Sequence, residues 1–166
     1  MGLRVMIDLV HSHACANLDE GLNFQDGTED LYFGRGEAGY HPAWKTRLFD
    51  YSKPEVLSFL LSNVNYWLTE YHFDGIRFDG VTPMLYHNHG LEVNFLSYHQ
   101  YFDGNVNLNA KNYLRLANLV AHSVKPGVLT VCEEMSGMPG ECLPVKDGGL
   151  GFDYRLAMGI PDFWIK

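Results

Sequence analysis

The chain has 166 residues, 46% hydrophobic and 19% charged, a composition that can bury a sizeable core and excludes disordered and fibrous classes. A formal net charge of −8, with the 12 Lys and Arg residues scattered, predicts no nucleic-acid partner. Cys15, Cys132 and Cys142 form no Cys-x-x-Cys pair, which argues against a disulfide framework or thiolate zinc site and for a reducing cytoplasm; with no apolar run of roughly 18 to 20 residues, no leader and no myristoylation signal, no membrane is expected either.

The near-continuous apolar run from Arg4 to Val10 predicts a strand buried on both faces. Ser52-Lys53-Pro54-Glu55 reads as a capping box opening a helix, followed by Leu57, Leu60, Leu61, Val64, Trp67, Leu68 and Tyr71 at helical spacing. Asp74-Gly75 ends that helix and launches a second buried strand, Ile76 to Val81. A second helix is expected over about Ala110 to Val124, stopping before Lys125-Pro126-Gly127, and a third strand over Leu129 to Glu133. Gly151 to Leu156 is a candidate fourth strand. Strands alternating with helices predict an α/β fold with a parallel sheet.

Two segments, 11–51 and 82–109, exceed plain crossovers and are rich in Gly, Asn, His and aromatics, Trp44 and Tyr101 among them. Long loops after the carboxyl ends of parallel strands are where active sites are built.

Polar residues stand at the carboxyl ends of all three buried strands: Asp8 with His11 and His13, Arg77 with Asp79, and Glu133 with Glu134. The two-residue period of a strand puts Arg77 and Asp79 on one face, where the guanidinium would hold Asp79 ionised as a nucleophile. Glu133 ends an apolar strand, whose desolvation would favour its protonated form and suit it to donate a proton. One ionised and one protonated carboxyl are the equipment of retaining glycosyl transfer. Bland alternatives stand beside these: an Asp-Gly turn with Arg77 as a structural ion pair, and a solvated strand end at Glu133. His11-x-His13 and His87-x-His89 have metal-ligand spacing, against which hydrogen bonding or surface placement is the commoner use.

As a set these motifs resemble the α-amylase superfamily, specifically the eukaryotic-type 1,4-α-glucan branching enzymes, over nearly the whole chain. The landmarks are Val10-His11-Ser12-His13, Asp26-Gly27-Thr28, Arg47-Leu48-Phe49, Phe59-Leu60-Leu61-Ser62-Asn63, Phe73 to Thr82, Ser136-Gly137-Met138-Pro139 and Gly151 to Leu156. The resemblance implies a partial (β/α)8 TIM barrel, about strands 3 to 6, forming part of one catalytic domain over 1–166 with a loop-rich excursion at 14–51. It implies Asp79 as nucleophile, Glu133 as acid/base, and Arg77, His13 and Asp8 as substrate-binding or supporting residues. The implied partner is an α-glucan such as glycogen, amylose or amylopectin, with no cofactor and no metal.

Within that resemblance Ser12 stands where calcium-binding amylases carry Asn, Glu134 replaces the usual Asp, and Lys45 and Ser58 also depart from the pattern. The family's later His-Asp strand motif is not matched, and an internal fragment is expected. The alternatives are another hydrolase or debranching enzyme of the superfamily, a metal-dependent barrel hydrolase, and an inactive glucan-binding fragment.

Overall fold

The computed structural model describes residues 2–156 and 159–165; positions 1, 157, 158 and 166 of the expected 1–166 span lie outside the described residues. The chain runs β1 (Met6–Leu9), β2 (His13–Ala14), β3 (Tyr40–His41), β4 (Thr46–Leu48), α1 (Pro54–Thr69), β5 (Gly75–Phe78), α2 (Val81–Leu85), α3 (Leu108–Val124), β6 (Leu129–Glu133), β7 (Tyr154–Leu156) and α4 (Gly159–Ile165). β1, β5, β6 and β7 lie side by side in that order, every pair parallel, which is the arrangement expected of an arc of a (β/α)8 barrel. β2, β4 and β3 form a second, antiparallel sheet inside the long segment after β1.

The helices follow their apolar stripes. α1 buries Val56, Leu60, Val64 and Leu68, and α3 buries Ala110, Tyr113, Leu114, Ala117 and Ala121, and the two helices pack against each other. The central strand β5 supplies the fully buried Ile76 and Phe78.

Four expectations need correction. β1 is not buried on both faces: Val5, Met6 and Val10 are exposed, because β1 is an edge strand with β5 as its one neighbour in the sheet. Ser52 and Glu55 do not form a capping box. The Ser52 hydroxyl and amide both go to Asp50 Oδ1, while Lys53 is the cap and Pro54 opens the helix, where a missing N–H costs nothing. The second buried strand stops at Phe78, and Val81 starts a short helix, because Gly80 turns the chain with φ of 62°. The helix expected from about Ala110 begins at Leu108, since the Asn107 side chain accepts from the Ala110 amide at 3.1 Å.

Candidate active site

Three neighbouring parallel strands in register bring their carboxyl ends to one rim. Asp8 pairs with Arg77, and Arg77 with Val131, so Glu133 ends two positions further along β6. Arg77 and Asp79 share a face. The Arg77 guanidinium then reaches three carboxylates at once: Nη1 lies 2.8 Å from Asp79 Oδ1 and 3.0 Å from Asp8 Oδ2, and Nη2 lies 3.0 Å from Glu133 Oε2. A rigid planar fork can hold several carboxylates in fixed relation, which a point-charge ammonium cannot. Partial burial works against the guanidinium's charge, but Glu133, then Asp8 and Asp79, hold its pKa above the ordinary value.

Glu133 is not walled in by apolar groups, as its strand suggested. Besides Arg77, its Oε2 accepts the Gly80 amide at 3.0 Å, so the residue after Asp79 bonds directly to the Glu133 carboxylate. Glycine suits position 80: φ is 62°, a conformation that side chains rarely adopt, and a Cβ there would meet Ser12 Oγ at 2.8 Å.

His13 joins the site through the charge of Asp79; burial pushes its pKa down and that carboxylate opposes the shift. Its ring stands 5.0 Å from Trp44. His11 turns the other way, into the core, where Nδ1 meets the Tyr113 hydroxyl at 2.5 Å and Nε2 donates to Asn63 Oδ1 at 2.9 Å. Both its nitrogens are committed to protein partners, and burial lowers its pKa to about 4. His11 and His13 therefore do not form the ligand pair that their spacing allowed. His89 lies beside His41, and its Nδ1 faces the Pro83 carbonyl. Among the described residues no group of three or more His, Cys, Asp or Glu side chains is arranged to hold a metal ion. A cavity of about 660 Å³ lies between the excursion and α2, lined by Ser12, Tyr51, Met84 and His89 but by neither Asp79 nor Glu133.

Sequence reasoning passed over a buried network behind Glu133. Glu134 is fully buried; Oε1 accepts the Thr82 hydroxyl at 3.0 Å and the Ser136 amide at 2.6 Å, and Oε2 accepts the Gly137 amide at 2.9 Å. Thr82 Oγ1 in turn accepts the Met135 amide at 2.8 Å. Arg155 donates to the Glu134 carbonyl and lies 3.3 Å from Glu141 Oε2. Burial, then the charge of Glu134, push the Glu141 carboxyl up to about 9. The adjacent acids Glu133 and Glu134 were the available signal: alternation along β6 sends them to different surroundings.

No family model matches the chain. Its whole length is 55% identical to a 1,4-alpha-glucan-branching enzyme of Rhizophagus irregularis and 54% identical to that of Equus caballus, covering 24% of each. Over its whole length the chain is thus similar to curated 1,4-alpha-glucan-branching enzymes. It spans about a quarter of the length of these curated relatives. Another branching enzyme, from Arabidopsis thaliana and named chloroplastic/amyloplastic, is 53% identical over the whole chain, which covers 21% of it. Among solved structures, α-amylases from Geobacillus thermoleovorans and Anoxybacillus superpose with TM-scores of 0.57 and 0.59 at 17% and 16% identity. The match covers 93% and 95% of this chain and 30% of each amylase, and the shared fold is that of the α-amylase-type TIM barrel. Among the described residues no helix is long and apolar enough to cross a membrane.

Proposed function

We propose that this chain carries the nucleophile and the acid/base of a retaining transferase that cuts an α-1,4-glucan and rejoins the cut chain through an α-1,6 bond. The observation that carries the reading is the single Arg77 guanidinium shared by Asp79, Asp8 and Glu133, with Gly80 bonded to Glu133. In the first step an Asp79 carboxylate oxygen attacks the anomeric carbon while Glu133 gives its proton to the departing 4-oxygen. In the second, Glu133 takes the proton of an acceptor 6-hydroxyl, whose oxygen displaces Asp79 from the same carbon. Two inversions keep the α configuration. Arg77 positions Asp79 through their 2.8 Å contact, Asp8 anchors Arg77, and His13 faces the sugar. Residues 14–51 are an excursion within this one catalytic domain. The three free cysteines suit a reducing compartment, which we take to be the cytoplasm.

The test is a full-length Rhizophagus enzyme in which this chain replaces the matching segment. On amylose, the expected result is a falling iodine-complex absorbance, new α-1,6 signals in the proton NMR spectrum and no matching rise in reducing ends. Reducing ends rising in step with the iodine loss would make the protein a hydrolase and contradict the reading.

A further inference from the structure

The hairpin between β3 and β4 presents a flat aromatic surface beside the candidate site. His41 ends β3 and is fully buried; Trp44 lies in the turn that follows, closed by the Lys45 amide on the His41 carbonyl at 2.8 Å. The two rings stack, with centroids 4.2 Å apart and planes at 16°. The Trp44 amide donates to His41 Nδ1 at 3.1 Å, which fixes the imidazole against the indole. One indole face is thus backed by a rigid buried ring, yet 47% of the residue remains exposed. The indole edge lies 3.6 Å from the position a Cβ would take at Gly80, and the His13 ring is 5.0 Å away. The open indole therefore neighbours the residue that follows Asp79.

We infer that Trp44 is a stacking platform for a glucosyl unit of the α-glucan, next to the unit held at Asp79. A pyranose ring presents a row of C–H bonds on a flat face and hydroxyls at its edge. An indole buries the C–H face and leaves the hydroxyls to water or polar neighbours such as His13. The stacked His41 ring restrains the indole on one face, which reduces the side-chain entropy lost on binding. Burial pushes the His41 pKa down to about 4, helped by His89 and His13, so the backing ring is neutral at physiological pH. The inference rests on the α-glucan reading above.

The experiment uses the segment-exchanged full-length enzyme with Asp79→Asn, which keeps the site's shape while stopping turnover, and measures maltoheptaose binding by calorimetry. Trp44→Leu keeps apolar bulk without a flat face; Trp44→Phe keeps a smaller flat face. The expected result is a Kd about tenfold higher for Leu and only a few-fold higher for Phe, with melting temperatures alike. Equal Kd values for Trp44, Leu and Phe would overturn the platform while leaving the α-glucan reading in place. No maltoheptaose binding by the Asp79→Asn parent would overturn the α-glucan reading itself. Should Leu lower the melting temperature, Trp44→Tyr and Trp44→Phe decide: binding that ranks Trp, Tyr, Phe supports stacking, and binding indifferent to the ring refutes it.

Discussion

Glu133 accepts a hydrogen bond from the backbone amide of Gly80 at 3.0 Å, so the two candidate acids are linked through main chain as well as through Arg77. Their relation therefore depends on where the turn after β5 sits against the end of β6.

Arg77→Lys should be costly although the charge is kept. A lysine ammonium cannot reach Asp79 and Glu133 with two fixed nitrogens, so the carboxylates lose their shared brace. We expect kcat to fall about a hundredfold or more in the full-length enzyme, the range of a lost preorganised electrostatic contact. A variant within a few-fold of the parent would show that Arg77 is only a structural ion pair.

Thr82→Val should act on turnover more than on binding. It deletes a hydroxyl that donates to Glu134 and accepts from Met135, tying the segment after Asp79 to the segment after Glu133. Leaving the buried Glu134 oxygen short of a donor should cost about 1 to 3 kcal/mol of stability. The expected kinetic pattern is a lowered kcat, an unchanged KM and recovery in Thr82→Ser. A raised KM with normal kcat would place Thr82 in substrate binding instead.

Stability should depend on pH through the buried acid and the buried histidines. Glu141 titrates near 9 folded and near 4.5 unfolded, so the folded state holds a proton that the unfolded chain releases. Its contribution is complete below about 4.5 and is lost as pH rises to about 9, by at most about 1.4 kcal/mol per unit. His11 and His41, lowered from 6.5 to about 4, act on the other side: their contribution is complete above 6.5 and is lost as pH falls to about 4. Urea midpoints measured from pH 6.5 to 9 should fall for the parent and fall less for Glu141→Gln. Parallel curves would show that Glu141 does not hold its proton.

The placement of Asp8, Arg77, Asp79 and Glu133 was legible because parallel strands are short, apolar and two-fold periodic, so a polar residue at a strand end has few places to point. Helix α1 was legible from its stripe, although Tyr71 at the end of that stripe is exposed. Histidine was harder. His11 and His13 share strand-like spacing, yet only tertiary partners, Tyr113 and Asn63 for one and Asp79 for the other, decide their use. The full burial of Glu134 was only partly legible, since Ser136 and Gly137 donate from nearby in the sequence but Thr82 comes from a distant segment. The exposure of β1 could not be read from its apolar run alone, which looks the same whether one neighbour or two cover it; the partial barrel of strands 3 to 6 is what implied an open edge there.

The central claim, that Asp79 and Glu133 form a retaining pair, is tested most directly by trapping the covalent intermediate. An α-maltosyl fluoride loses fluoride without help from an acid, whereas release of the enzyme-bound sugar needs Glu133 as base, so Glu133→Gln in the full-length enzyme should form the adduct and hold it. Peptide mass spectrometry should then find one maltosyl group on the carboxylate of Asp79, and none when Asp79→Asn is added. A maltosyl group on any other residue, or turnover of the fluoride to β-configured product without an adduct, would contradict the account.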